Sequence, residues 1–146
     1  MKKIKPYFGA GLLIWSQDDQ GTIFVLLGKR AINPGMGKWS ISGGKWDAED
    51  IDEKGDPDYL KTALRETKEE IKFIINYDET FMHLWNSRIP FFHYIVYAHQ
   101  LPARRQFNHN NEFSELGWFP VDALPSPCEV FVRMQVSSLV KRREER

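Results

Sequence analysis

Glu66, Glu69 and Glu70 stand at positions i, i+3 and i+4 of the segment Arg65-Glu66-Thr67-Lys68-Glu69-Glu70. On a helix such residues are neighbours, about 5 to 6 Å apart at Cβ, and like charges at that spacing destabilise a bare helix. A hard divalent cation bound through oxygen reverses the penalty, so the spacing points to a metal. The competing reading is a solvated charged face, the usual fate of helical charge runs. Context favours the metal. Gly43-Gly44 upstream can turn tightly and leave a carbonyl free to approach a cation, and Arg65 is placed to hold a loop carboxylate.

The elements that must position these acids follow from periodicity. Leu60, Ala63, Leu64, Thr67 and Ile71 recur at helical spacing and predict a core-facing stripe, with the carboxylates on the other side. Asp56 or Asp58 can cap this helix and Pro57 can open it, which starts it just before Tyr59. Strands are expected at Phe8 to Trp15 and Ile23 to Lys29, joined by a turn at Asp18-Asp19-Gln20-Gly21. Others are expected at Phe73 to Ile75, Phe81 to Trp85 and Phe91 to Ala98. After a break at Pro125 to Pro127, Val130 to Val140 predicts a closing helix, with Lys141 to Arg146 a frayed, solvated end. Strands interleaved with two helices predict an α/β (α+β) fold: a mixed β-sheet sandwiched between α-helices.

These residues resemble the Nudix hydrolases. The box of that family runs Gly, five residues, Glu, seven residues, Arg-Glu, an apolar residue, any residue, Glu-Glu, any residue, Gly, apolar. Gly44, Arg65, Glu66, Glu69, Glu70 and Phe73 fit it. The flanking Ala10-Gly11-Leu12-Leu13-Ile14, Leu26-Leu27-Gly28-Lys29-Arg30 and Gly37-Lys38-Trp39-Ser40-Ile41 stand where the family's first strands lie. Glu115-Leu116-Gly117-Trp118-Phe119 and Asp122-Ala123-Leu124-Pro125 resemble its closing strand and turn. Three departures matter. Twenty residues separate Gly44 from Arg65 where the pattern has 13, a seven-residue insertion rich in acid. Counting back from Arg65 places the family's first Glu on Pro57, so Asp56, Asp58 or an acid of the insertion is left to fold back on Arg65. Lys72 replaces the usual Gly, and Thr67 the usual aliphatic residue.

The resemblance implies hydrolysis of a phosphoanhydride in a nucleoside diphosphate linked to another group, with release of nucleoside monophosphate and with Mg²⁺, or Mn²⁺, as cofactor. Metal ligands would be Glu66, Glu69, Glu70 and the Gly43 carbonyl, with Glu112 as a late acid from the polar loop Asn110-Asn111-Glu112-Phe113. The proton from water would pass to Glu69 or Glu66, with Glu112 as the loop candidate, and Arg65 completes the catalytic set. For the substrate, Lys29 and Arg30 at a strand end can reach phosphates. Trp39, Trp118, Phe119 and Phe8 offer faces for a base, against the ordinary alternative of core packing. Asp122 can meet a base edge or cap a turn. The altered loop motivates a second reading, a Nudix-fold nucleotide-binding or regulatory module with weakened catalysis. A diphosphate isomerase is a weaker third, because Cys128 lies downstream of the box.

Length and charge set the remaining bounds. A chain of 146 residues has room for one catalytic domain, 1–146. Twenty basic and twenty acidic residues cancel, which disfavours a polymeric nucleic acid and favours a small nucleotide as partner. Cys128 is alone and reads as a small hydrophobe. The start, Met1-Lys2-Lys3 before an apolar run, superficially resembles a leader, but Gly9 and Gly11 and the following Ser16-Gln17-Asp18-Asp19 fit a strand and turn better. A cytoplasmic protein away from membranes, monomer or homodimer, is expected. His83, His93, His99 and His109 lack partners at ligand spacing and read as structural or surface residues.

Overall fold

The computed structural model describes residues 4–144. The readings of Met1 to Lys3 and of the last two residues lie outside that range.

The unbroken apolar stretch near the start becomes the central strand. β1 (Tyr7–Gln17) is buried on both sides, as a strand covered on both faces must be. It runs parallel to β6 (Phe92–Leu101) along one whole edge, and β5 (Met82–Asn86) lies antiparallel beyond β6. The other edge of β1 is shared. Trp15 to Gln17 pair with β2 (Ile23–Arg30), while Gly9 to Leu12 pair with β4 (Ser42–Lys45). β2 therefore diverges from β1, and β3 (Trp39–Ser40) pairs with its far end at Gly28 and Lys29. β7 (Phe113–Pro120) covers the remaining edge of β2. The result is a seven-stranded mixed sheet.

Alternation along β1 sorts the core into two layers. Ala10, Leu12 and Ile14 pack with Ala63 and Ile71 of α1 (Tyr59–Ile71). Leu13 and Trp15 pack with Val132, Val136 and Leu139 of α2 (Val132–Glu144). The sheet is thus sandwiched between helices, as the pattern of elements predicted.

Particular expectations are corrected. Asp58 caps α1 by accepting from the Lys61 N–H at 3.2 Å, which leaves Pro57 outside the helix. Phe73 to Ile75 form no strand: Phe73 and Ile75 pack against the α1-side core, with the Phe73 ring 4.8 Å from Phe107. α2 starts two residues later than expected, after a turn in which Glu129 accepts from the Phe131 and Val132 N–H groups, and it continues through Lys141 to Glu144 as helix rather than a frayed end. Lys72 adopts the left-handed exit that Gly would adopt at less cost, with φ at +57°. Thr67 does more than fill space. Its hydroxyl bonds the Ala63 carbonyl at 2.7 Å and meets Ser42 Oγ at 2.9 Å, tying α1 to β4.

Candidate active site

The place where β1 and β2 part is filled by β4, and α1 lies across it. Gly43 and Gly44 are there because anything larger would collide with the helix or the sheet. A Cβ on Gly44 would lie 2.5 to 2.8 Å from the Glu66 carboxylate, and one on Gly43 would lie 2.7 Å from the Ala10 carbonyl oxygen and the Gly11 Cα. Glu66 therefore rests directly on the Gly44 backbone. Glu70 is fully buried and accepts from the Gly43 N–H at 3.2 and 3.4 Å.

Glu70 has no cationic side chain on it among the described ion pairs. Burial, with Glu66 and Glu112 nearby, pushes its carboxyl up to about 9, against the pull of the Gly43 N–H and Arg30. Glu66 is also raised, chiefly by burial and less by Glu69 and Glu112, while Arg65 opposes the shift. Glu69 points outward, with about half its side chain exposed, 3.7 Å from Arg65 and beside Lys68 and Lys72.

Arg65 is gripped from both sides. Its Nη1 meets Glu66 at 3.0 Å, while its Nε and Nη2 fork onto the buried Asp50 at 3.2 and 2.8 Å. Asp50 also accepts from the Thr62 hydroxyl at 2.8 Å and the Asp47 N–H at 3.1 Å. Burial alone would raise the Asp50 carboxyl, but these hydrogen bonds outweigh it and hold it below the ordinary range. This overturns the count that left Pro57 in the first-acid position. Counted forward from Gly44, the five-residue spacing lands on Asp50, so the insertion comes after it. Those seven residues close on themselves: Ile51 bridges Pro57, and Asp52 takes the N–H groups of Lys54 and Asp56. The insertion is a small hairpin at the start of α1, and its neck delivers Asp50 to Arg65.

The late acid arrives from the other side. The Asn110 N–H donates to the Glu70 carbonyl at 2.9 Å, and the Ala31 N–H to the Glu112 carbonyl at 2.7 Å, which docks the loop of Glu112 on α1 and the end of β2. Arg30, with Nε on the Pro34 carbonyl at 2.7 Å, stands at that same strand end with Lys29. Glu66, Glu70, Glu112 and Arg30 lie near enough for their charges to act on one another. No three acid, histidine or cysteine side chains among the described residues stand together at metal-ligand spacing. Glu66 is turned to Arg65, and Glu69 to solvent.

The aromatic candidates scatter. Trp39 is buried, edge-on to Phe119 at 4.9 Å in the α2-side core. Trp118 lies on the α1 side, its indole N–H on the Arg105 carbonyl at 2.8 Å. Asp122 follows β7 at the end of the β2–β7 ladder opposite Arg30. Phe8 stacks on His93 at 4.8 Å. His99 is buried, with its ring on the Thr80 carbonyl, and the half-buried Cys128 thiol donates to the Pro125 carbonyl. Two clefts, of about 670 and 420 Å³, lie away from the acids, between α2 and the β5 side of the sheet.

A family model described as a NUDIX domain matches residues 6–136. The chain belongs to the Nudix family. Among curated proteins none matches it. Solved structures of the Nudix fold resemble it closely in shape. The NUDIX domain of Shewanella oneidensis NrtR, crystallised with ADP ribose, aligns at TM-score 0.71 and 22% identity over 98% of this chain and 90% of that one. A MutT NUDIX hydrolase from Burkholderia pseudomallei aligns at TM-score 0.67 and 25% identity over 92% and 98%. A MutT/nudix family protein from Enterococcus faecalis aligns at TM-score 0.67 and 20% identity, over 82% of this chain but 46% of its own, so this Nudix chain spans less than half of that protein. No helix among the described residues is long and apolar enough to cross a membrane.

Proposed function

We propose that this Nudix chain is a Mg²⁺-dependent pyrophosphohydrolase that cleaves a nucleoside diphosphate linked to another group, releasing nucleoside monophosphate. The observation that carries this reading is Glu70: a carboxyl with no exposure, no cationic partner among the described residues, and two further acids close by. Structural acids are paired; this one is kept without a cation. Its neighbours are hard oxygen donors, the set that suits Mg²⁺ or Mn²⁺. Glu66, Glu69, Glu70, Glu112 and the Gly43 carbonyl would hold the ion. When bound, it supplies positive charge to the phosphate oxygens and lowers the pKa of water.

The chain's own residues do the rest. Asp50 fixes Arg65, and Arg65 fixes Glu66 across Gly44, so Glu66 is the best-oriented acid to accept a proton from water. Glu69 and Glu112 are the alternatives for that proton. Arg30 and Lys29 at the mouth offset the charge of an arriving polyphosphate. Trp118 keeps part of its ring exposed and remains the aromatic candidate for a base, while Trp39 belongs to the core.

Incubation with nucleoside triphosphates, dinucleotides and nucleotide sugars tests this. We expect monophosphate release from at least one class with Mg²⁺ or Mn²⁺, and none with chelator. A folded protein silent across the panel overturns the reading and favours a nucleotide-binding module.

A further inference from the structure

Thr62 and Thr67 are both buried in α1, and their hydroxyls do different things. Thr67 donates to the Ala63 carbonyl one turn back, a habit of helical threonines. Thr62 donates out of the helix, to Asp50 Oδ2 at 2.8 Å. A hydroxyl with no exposure must find an acceptor inside the protein, and here the acceptor is itself a buried carboxylate.

The other donors on Asp50 show what this bond adds. Oδ1 takes the Arg65 Nε–H and Oδ2 the Arg65 Nη2–H, a fork that needs carboxylate and guanidinium in one plane. Oδ2 also takes the Asp47 N–H, but Asp47 belongs to the same turn, closed by the Asp50 N–H on the Asp47 carbonyl at 2.8 Å, so it fixes nothing relative to the helix. Thr62 and Arg65 stand at i and i+3 and approach the acid from one helix face. Among the described hydrogen bonds they are the two residues of α1 that reach this carboxylate, and Arg65 is the one whose place has to be fixed. The Asp50 backbone is drawn in as well: its carbonyl accepts from the Trp46 indole at 2.9 Å and from the N–H of Asp58, the cap of α1, at 2.8 Å. The box pattern has Glu here, and Asp is one methylene shorter. A neck tied down on the helix is what lets the shorter acid reach Arg65.

We propose that Thr62 is a positioning residue of the site: its hydroxyl ties Asp50 to α1 independently of Arg65, and so holds Arg65 where it keeps Glu66 on Gly44. The role rests on the pyrophosphohydrolase reading above. The test compares Thr62→Val, which keeps the shape and loses the hydroxyl, and Thr62→Ala, a second hydroxyl-free variant, with Thr62→Ser, which keeps the hydroxyl, all well below their melting temperatures. In metal-free protein the Arg65 Nε–H, followed by NMR, should exchange with water about tenfold faster in Thr62→Val and Thr62→Ala than in the parent. With Mg²⁺ and the cleaved nucleotide, kcat should fall about tenfold in the same two variants with KM little changed. Thr62→Ser should recover most of both. Unchanged exchange or unchanged kcat in the hydroxyl-free variants would overturn this inference alone, even if both melt lower, because the hydroxyl would then serve packing only. Equal losses in Thr62→Ser and Thr62→Val would also overturn it, by moving the effect to the methyl group. A parent that turns over no nucleotide would overturn it together with the reading it rests on.

Discussion

Glu70→Gln should abolish metal-dependent turnover and, in the absence of metal, make the protein more stable. The two effects have one cause. Glu70 is buried with no cation paired to it among the described residues, and burial raises its carboxyl to about 9. A group raised in the folded state binds its proton more tightly there than in the unfolded chain. Its contribution is fully present below the ordinary Glu range near 4.5 and is lost as pH rises toward 9. Thermal melts in chelator should therefore show stability declining from about pH 5 to pH 9 in the parent and a flatter profile in Glu70→Gln. Near pH 8 the variant should gain on the order of 1 to 3 kcal/mol. Mg²⁺ should restore stability to the parent at that pH and not to the variant. Turnover in saturating Mg²⁺ should fall by about 100-fold or more, since loss even of a residue that only orients a ligand costs about 10 to 100-fold. Equal pH profiles for the two proteins in chelator would mean that Glu70 is compensated in a way its surroundings do not show.

Asp50→Asn should damage folding and turnover together. Asp50 accepts four hydrogen bonds, two of them from Arg65. Removing its charge leaves Arg65, whose side chain is about a third exposed, with Glu66 and the more distant Glu69. A cost of about 2 to 3 kcal/mol is expected, from hydrogen bonds to charged groups with allowance for that exposure. The stabilisation by Asp50 belongs to the pH range above the ordinary Asp pKa, because its folded value is depressed, and it fades as pH falls through that lower value. The variant should thus be weaker than the parent at neutral pH and converge with it in acid. Since Arg65 would then turn more fully onto Glu66, kcat should drop about 10 to 100-fold with KM little changed. Denaturant titration and steady-state kinetics on one preparation would measure both. A variant as stable and as active as the parent would remove Asp50 from the account.

The acids of α1 were legible as helical neighbours because periodicity is local, but the carboxylate face expected opposite the core stripe is split: Glu70 is buried beside Ala63 and Thr67, while Glu69 is exposed. The central strands were legible for a similar reason, their apolar runs being long enough to admit one reading. Asp50 was legible only as one of several loop acids able to fold back on Arg65, because an insertion makes spacing ambiguous. The backward count from Arg65 crosses the Ile51–Pro57 hairpin and lands on Pro57, whereas the forward count from Gly44 stops before it. Phe73 to Ile75 misled because an aromatic and an aliphatic residue two apart suit core packing under a loop as well as a strand. Trp39 looked available for a base, yet its register opposite Lys29 turns the ring into the α2-side core.

Asp50 places a carboxylate on Arg65 where the family pattern has Glu, and the insertion is a hairpin folded on itself. The direct measurement is the free aqua-Mn²⁺ paramagnetic resonance signal as protein is titrated, for the parent and for Glu70→Gln, with Mg²⁺ as competitor. The account predicts that the parent quenches the signal, that Mg²⁺ restores it, and that Glu70→Gln quenches it far less. A parent protein that leaves the signal untouched, with and without pyrophosphate, would contradict the assignment of this carboxylate face to a metal.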